Sequence, residues 1–248
     1  MSSFQDHFSA RSVGYAAYRP TYPAALFEWL AAVAPGRGLA WDCATGSGQA
    51  AAGLSPLFQR VVATDASADQ LRNAKPFPNV EYRVATAEAS GLNPGEADLI
   101  TVAQALHWFD RPTFFTEARR VARPGGILAI WTYNVANVSP AIDRLLERFY
   151  TETVGPYWPG DRVLVNEGYR NIEVPFEEFT PPEFSMEAEW TLEHLLGYLR
   201  TWSAVARYSK EQGHDPVADL APELTDRWGT PDGRHRIRWP LSIRVAKL

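Results

Sequence analysis

The sequence predicts an α/β fold: a doubly wound, mostly parallel seven-stranded sheet with an N-terminal arm and a helical elaboration before the last strands. Two observations predict it. Short apolar runs alternate with amphipathic stretches five times between residues 22 and 134, the rhythm of strands joined by crossover helices. Those runs are near-continuously apolar rather than alternating, as in a sheet covered on both faces.

Each element has its own signal. In "YPAALFEWLAAVAP", Leu26, Leu30 and Val33 recur at helical spacing, and Pro35-Gly36 stops the helix. "GLAWDCA" reads as a first strand and "SGQAAAGLSPLF" as a helix rich in small residues. "RVVATDAS" is a second strand ending at Asp65, and Ser67 is placed to cap the helix begun by "SADQLRNA". "VEYRVATAEA" and "ADLITVAQAL" hold the third and fourth strands. "RPTFFTEARRVARPGG" is a helix with a Pro-Gly-Gly stop, and "GILAIWTYN" is the fifth strand. Beyond Asn134 the alternation breaks. "SPAIDRLLERFYTETV" and "TLEHLLGYLRTWSAVARYSK" read as helices around an irregular Gly/Pro/aromatic segment. "HRIRWPLSIRVAKL" reads as a strand whose Pro240 places it near a sheet edge. One domain is expected over 1–248: arm and helix 1–37, sheet core 38–134, elaboration 135–230, terminal strand 231–248.

Composition narrows the class. The chain has 248 residues, 46% hydrophobic and 21% charged, as in an ordinary globular protein. Its net charge of −5, with basic residues scattered apart from "RHRIR", lacks the broad basic face of a nucleic-acid binder. The single cysteine, Cys43, allows no intramolecular disulfide and fits a reducing compartment. The N-terminus shows neither a basic start nor an apolar h-region, and no apolar run approaches the roughly 20 residues of a membrane span. A cytoplasmic protein without a membrane segment, monomeric or homodimeric, is expected. No His/Asp/Glu/Cys group has metal-ligand spacing, so no metal is implied.

"LAWDCATGSGQAA" carries the functional signal. In open α/β sheets a ligand lies beyond the carboxyl ends of the strands at the switch point, which is where the turn Ala44 to Gly48 falls. Glycines let the backbone pass close to a ligand. "GSGQAA" matches the dinucleotide pattern G-x-G-x-x-A, and Asp65 could take ribose hydroxyls. S-adenosylmethionine is bound by a similar turn and acid. Three features favour it over a nicotinamide dinucleotide. Asp42 precedes the glycines, where a carboxylate suits an ammonium and would repel a pyrophosphate. No Tyr-x-x-x-Lys pair exists for hydride chemistry. The chain closes with a strand-rich segment rather than a second dinucleotide-binding half. A nicotinamide-dependent oxidoreductase and a non-catalytic S-adenosylmethionine-binding protein remain the alternatives.

Along most of its length the chain resembles the class I S-adenosylmethionine-dependent methyltransferases of the type 11 group, close to the trans-aconitate methyltransferase-like branch. "WDCATGSGQAA" stands where that family has D-x-G-x-G-x-G. "ATDAS…QL", "ATAEASGL", "AQALHWFD" and "EARRVARPGGILAIW" resemble its successive motifs, and "FSARSVGYAAYRPTYP" and "WTLEHLLGYLRTWSAVARY" resemble its arm and late helix. The family's first glycine is Ala44 here. The resemblance implies that Asp42 and the turn Ala44, Gly46 and Gly48 hold the methionine end of the cofactor. It implies Asp65 on the ribose, with Ala66 and Gln70 near the adenosine and Ala87 and Glu88 at the adenine edge. Gln104 and Ala105 would lie beneath the sulfonium, and Tyr15 and Arg19 would close over the cofactor. For each there is a plain structural alternative: a turn cap for Asp42, a helix start for Asp65, a solvated carboxylate for Glu88, a surface residue for Arg19.

Transfer of a sulfonium methyl is an in-line displacement, served by positioning and water exclusion. His107, just past the fourth strand, is the candidate base; otherwise it is a structural histidine beside Trp108. Trp108, Trp131, Tyr133, Asn134, Tyr198 and Trp202 are candidate contacts of a small-molecule acceptor, a carboxylic acid or phenol.

Overall fold

A computed structural model describes residues 18–230 and 232–248. Tyr15 lies outside the described residues. The chain divides into two compact units. One comprises Tyr22–Tyr133, Val163–Phe184 and Leu241–Leu248; the other takes the segment ending at Thr21, Asn134–Arg162 and Ser185–Pro240.

The first unit holds the parallel part of the sheet. Five strands, β1 (Leu39–Cys43), β2 (Arg60–Asp65), β3 (Val80–Val84), β4 (Ala97–Ala103) and β5 (Ala122–Tyr133), lie parallel in the order β3-β2-β1-β4-β5. The order reverses at β1, between β2 and β4, which creates the switch point. β1 is buried at every residue and β4 at all but its last, as their apolar runs require. Residue parity assigns each side chain to a face. Trp41, Val62, Ile100, Leu128 and Ile130 pack with Phe114, Phe115 and Val121 of α4 (Arg111–Val121). Ala40, Val61, Ala63, Leu99, Ala129 and Trp131 pack with α1 (Ala24–Val33) and α2 (Gln49–Leu54). The small residues of α2 have a packing reason. A Cβ on Gly53 would lie 2.2 Å from Phe27 Cε2 of α1, so the two helices approach where only glycine fits. Ser67 caps α3 (Ala68–Arg72) as expected, its hydroxyl accepting from Gln70 N.

Two expectations need correction. The sheet has eight strands rather than seven: β8 (His235–Lys247) pairs antiparallel with β5 and with β6 (Glu177–Phe179), and its first half pairs with β7 (Ser185–Trp190). β8 stands one strand in from the edge, between β5 and β6, near the edge as its Pro240 suggested. Pro240 sits where β8 changes partner, pairing with Ser185 of β7 just before Leu241 pairs with Tyr133 of β5. There a missing N–H does not interrupt a continuous ladder. The long helix expected over 191–210 is two helices, α7 (Leu192–Arg200) and α8 (Ser203–Gln212). Trp202 between them is extended (ψ 135°) and buried among Phe149, Tyr150, Trp158 and Tyr198, at ring separations of 5.6 to 6.2 Å. Packing a large aromatic ring outweighs the propensity to continue a helix.

The second unit is mainly helical: α5 (Pro140–Arg148), α7, α8 and α9 (Pro216–Trp228). A short helix, α6 (Arg162–Asn166), lies between α5 and β6 and leads back into the first unit. Among the described residues no helix is long and apolar enough to cross a membrane.

Candidate functional site

The turn after β1 is built by backbone conformation. Ala44 (φ 55°), Gly46 (φ 57°) and Gly48 (φ 83°) all lie in the left-handed region. Thr45 N donates to Thr64 O at 2.9 Å and Gly48 N to Thr45 O at 2.9 Å. A Cβ on Gly48 would come 2.7 Å from Tyr82 Oη, so glycine is needed there for space as well as for φ. The Ala44 methyl sits on a backbone that glycine adopts without cost.

Asp65 joins this turn to the next. Its Oδ2 accepts from Gly46 N and its Oδ1 from Ser67 N, both at 2.8 Å. The carboxylate thus fixes the relative position of the β1 and β2 turns. Asp42 is fully buried and accepts hydrogen bonds from the hydroxyls of Thr45 and Thr101. Burial pushes its carboxyl up to about 6; those two hydroxyls and the Ala51 amide pull it back, and Asp65 adds repulsion. The largest influences on it are thus burial, neutral hydrogen-bond donors and a like charge. A buried anion compensated only by neutral dipoles is costly, and that cost falls when a positive group arrives. Burial, the largest cause, also pushes the neighbouring Cys43 thiol well above its usual range, so Cys43 is a packing residue and no nucleophile.

Gln70 is half-buried, with its Oε1 3.9 Å from where a Gly46 Cβ would lie, so its side chain reaches the glycine turn; Ala66 lies between Asp65 and Ser67 in the β2 turn. Ala87 is buried, and Glu88 Oε1 accepts from Asp110 N at 3.0 Å, holding the start of α4. Gln104 has φ 54°; its amide donates to Tyr133 O at 2.9 Å and accepts from the Thr132 hydroxyl, clamping the carboxyl ends of β4 and β5 together. Ala105 is buried and precedes a single 3-10 turn, Leu106–Trp108. That turn presents His107, whose ring lies 4.6 Å from that of Trp108, itself 40% exposed. His107 Nδ1 is 2.7 Å from Tyr169 Oη.

The candidate acceptor-side residues fall in both units. Trp131 is fully buried against Tyr22 and Phe27, at ring separations of 5.4 and 6.3 Å. It is a core residue rather than a cavity wall, because its parity on β5 turns it toward α1. Tyr133 is nearly buried beside Tyr22. Asn134, Tyr198 and Trp202 belong to the second unit. There the Asn134 side-chain oxygen Oδ1 accepts from Arg162 Nη2 at 3.4 Å, and the Arg19 guanidinium lies 5.4 Å over the Tyr198 ring. Sequence reasoning missed Thr45, Thr101 and Tyr169. A hydroxyl three residues after Asp42 was a readable signal for Thr45. Thr101 and Tyr169 come from distant segments and carry none.

Residues 41–130, the turn and strands just described, match the family model described as a methyltransferase domain. A Dictyostelium discoideum protein named as a methyltransferase is 34% identical over 253 aligned residues, covering 99% of this chain and 96% of its own. A solved structure from Anaeromyxobacter dehalogenans, named as a type II methyltransferase, is 46% identical, with a TM-score of 0.88 over 92% of this chain and 97% of that one. A Bacillus halodurans structure at 22% identity and TM-score 0.51 shares the fold. The chain belongs to the class I S-adenosylmethionine-dependent methyltransferases. It is an enzyme with S-adenosylmethionine as cofactor, and the nicotinamide and non-catalytic readings give way to that assignment.

Proposed function

We propose that the enzyme, acting as one domain in the cytoplasm as a monomer or homodimer, methylates a small-molecule acceptor with a carboxylate or phenol oxygen, within the trans-aconitate methyltransferase-like branch. The observation that carries the reading is the fully buried Asp42 beneath the turn Ala44–Gly48, its carboxyl pushed up by burial, beside an Asp65 already aligned by two backbone amides. When bound, S-adenosylmethionine supplies an activated methyl on a cationic sulfur.

Asp42 and the turn hold the methionine ammonium. Asp65 accepts from the ribose hydroxyls while its amide partners keep it oriented. Ala66 and Gln70 flank the adenosine, Ala87 and Glu88 its adenine edge, and the strained Gln104 with Ala105 supports the reacting sulfur. His107 and Trp108 border the acceptor. Glu88 is engaged by Asp110 N, which leaves His107 as the imidazole at the β4 mouth. An acceptor that is already anionic suits such a site, because it needs little help in losing a proton.

Isothermal titration with S-adenosylhomocysteine, followed by a labelled-methyl assay over carboxylic acids, phenols, amines and RNA, tests the reading. Methylation of the first two groups is expected. Transfer only to amines or RNA would overturn it.

A further inference from the structure

In the second unit Arg148 is ion-paired with Glu223, Arg200 with Asp215 and Arg236 with Glu187. Arg162 is held differently. Its Nε donates to Tyr150 Oη at 2.8 Å and its Nη2 to Asn134 Oδ1 at 3.4 Å. The carbon of its guanidinium lies 4.5 Å from the centre of the Trp158 ring and 5.6 Å from that of Tyr150. Among the described residues no carboxylate lies within ion-pair distance of it. A hydroxyl, a carboxamide and two aromatic faces orient a cation without neutralising it. The side chain is half-buried, so its charge has given up part of its water and gained no counter-charge. That is costly, and an arriving anion removes the cost.

The surroundings fix the guanidinium. Tyr150 is buried, Trp158 Nε1 donates to Tyr150 O at 3.3 Å, and Trp202 packs against both rings at 5.6 and 5.7 Å. Arg162 N donates to Pro159 O at 3.0 Å, closing the turn that follows Trp158. Tyr150 lies in a π-helical turn, Phe149–Thr153, in which Val154 N reaches back to Phe149 O at 3.0 Å. Such turns give up regular helical bonding and recur at functional sites. A guanidinium has five N–H donors in one plane. Two are used here, and the bond to Asn134 is long enough to yield to a charged acceptor. Both N–H groups of Nη1 and one of Nη2 remain among the described residues. Two adjacent nitrogens of such a fork match the two oxygens of a carboxylate.

We infer that Arg162 is a binding residue for a carboxylate of the small-molecule acceptor, gripped by Nη1 and Nη2 while Trp158 and Tyr150 hold the guanidinium in place. A carboxylate so gripped has both oxygens engaged. It is a handle that orients the ligand and stays unmethylated, and the oxygen that attacks the methyl is a second group of the same molecule. The single charge of one guanidinium suits a carboxylate and leaves a phosphate dianion half-answered. For the acceptor, the inference rests on the methyltransferase reading above; for the anion, it rests on Arg162 and its partners alone.

Titration of the protein with phenylacetate, and with its neutral amide phenylacetamide, tests the anion site without any turnover. In ¹H–¹⁵N spectra the Arg162 Nε resonance is identified by its absence from Arg162→Lys. It is expected to shift saturably with phenylacetate and to stay in place with the amide, both in the cofactor-free protein and with saturating S-adenosylhomocysteine. Arg162→Lys keeps the charge and loses the fork, and is expected to weaken phenylacetate binding about tenfold or more, read from the Trp158 indole resonance. No saturable shift, an equal shift with the amide, or full affinity in the lysine variant overturns the inference. Tighter binding of inorganic phosphate overturns the carboxylate class. A shift that S-adenosylhomocysteine abolishes gives Arg162 to the cofactor's own carboxylate and overturns the acceptor role. With an acceptor in hand, Arg162→Gln is expected to raise KM about tenfold or more with kcat within about threefold. A lowered kcat at unchanged KM overturns the handle. Failure to find any acceptor counts against the proposed function, and the wild-type titration still decides the anion site.

Discussion

Asp42 of β1 and Thr101 of β4 are register partners on adjacent parallel strands, and Thr101 Oγ1 donates to Asp42 Oδ1 at 2.8 Å. The pair places an ionisable group inside the sheet, held by hydroxyl and amide dipoles. The Asp42 carboxyl is raised from 3.8 to about 6, first by burial. A folded-state pKa above the unfolded value means that the folded protein holds the proton more tightly. Stability contributed by Asp42 therefore falls as pH rises from about 4 to about 6 and stays low above that. Asp42→Asn is expected to raise the stability of the cofactor-free protein at pH 7.5, by on the order of 1–3 kcal/mol. It is also expected to weaken S-adenosylmethionine binding at least tenfold. Thermal melts and titration calorimetry read the two effects. For the wild type, affinity should drop below pH 6 as protonation of Asp42 competes with the cationic ligand. A destabilised Asn variant would show that the carboxylate carries no burden.

Asp98 supplies the contrast. It is as fully buried as Asp42, but at the amino end of the sheet. Its Oδ2 accepts from Gly38 N and Leu39 N at 2.7 and 2.9 Å, and its Oδ1 pairs with Arg123 at 2.6 Å. This acid is satisfied within the protein, so it locks β1 to β4 at the edge away from the ligand. Asp98→Ala leaves one buried and one half-buried amide and a guanidinium without their acceptor, and is expected to cost roughly 3–5 kcal/mol in urea denaturation. Cofactor affinity measured on the folded fraction should be unchanged. A loss of affinity with little loss of stability would reverse the roles argued for the two acids.

The alternation of strands and helices, the switch-point turn and both turn acids were legible because each is a local pattern: an apolar run, a glycine pair, an acid at a strand end. What was not legible depends on which distant segment arrives. Trp131 was read correctly as a strand residue, but its face is fixed by parity against α1, which its own run does not encode. Trp202 lies within a helical pattern and is pulled out of it by the rings of Tyr150, Trp158 and Tyr198. Tyr169 sits in a segment with no periodicity, and ties to distant residues, such as that from Arg244 to its carbonyl, hold it against His107.

The turn after β1 predicts opposite outcomes for two small substitutions. Ala44 bears a Cβ at φ 55°, a conformation that costs an L-residue roughly 1–2 kcal/mol. Glycine removes that cost but loses about 0.4–1 kcal/mol through the unfolded chain. Ala44→Gly should therefore be neutral to about 1 kcal/mol stabilising, with cofactor affinity kept or improved. Gly48→Ala adds the same strain at φ 83° and drives a methyl to within 2.7 Å of Tyr82 Oη. It should cost about 2 kcal/mol or more and weaken S-adenosylhomocysteine binding in the same titration. If both variants melt with the wild type, the turn is not held in the conformation described.

Gly53→Ala sets two magnitudes against each other within α2. Helix propensity favours alanine by about 1 kcal/mol, so an exposed glycine at this position would be improved by the change. The added Cβ would lie 2.2 to 2.6 Å from three atoms of the Phe27 ring. Phe27 is itself confined by Tyr22 and Trp131, at ring separations of 6.3 Å each, so its ring cannot simply swing away. Overpacking of this kind costs typically 1–3 kcal/mol, and with three contacts below 3 Å the upper part of that range applies. Packing should win, and the variant should lose about 1–2 kcal/mol by thermal or urea denaturation. Because α2 follows the turn directly, displacement of its first residues should also reach Gly48, so cofactor affinity should decline with stability. A stabilised Gly53→Ala protein would mean that α1 and α2 are not pressed together as the structure has them.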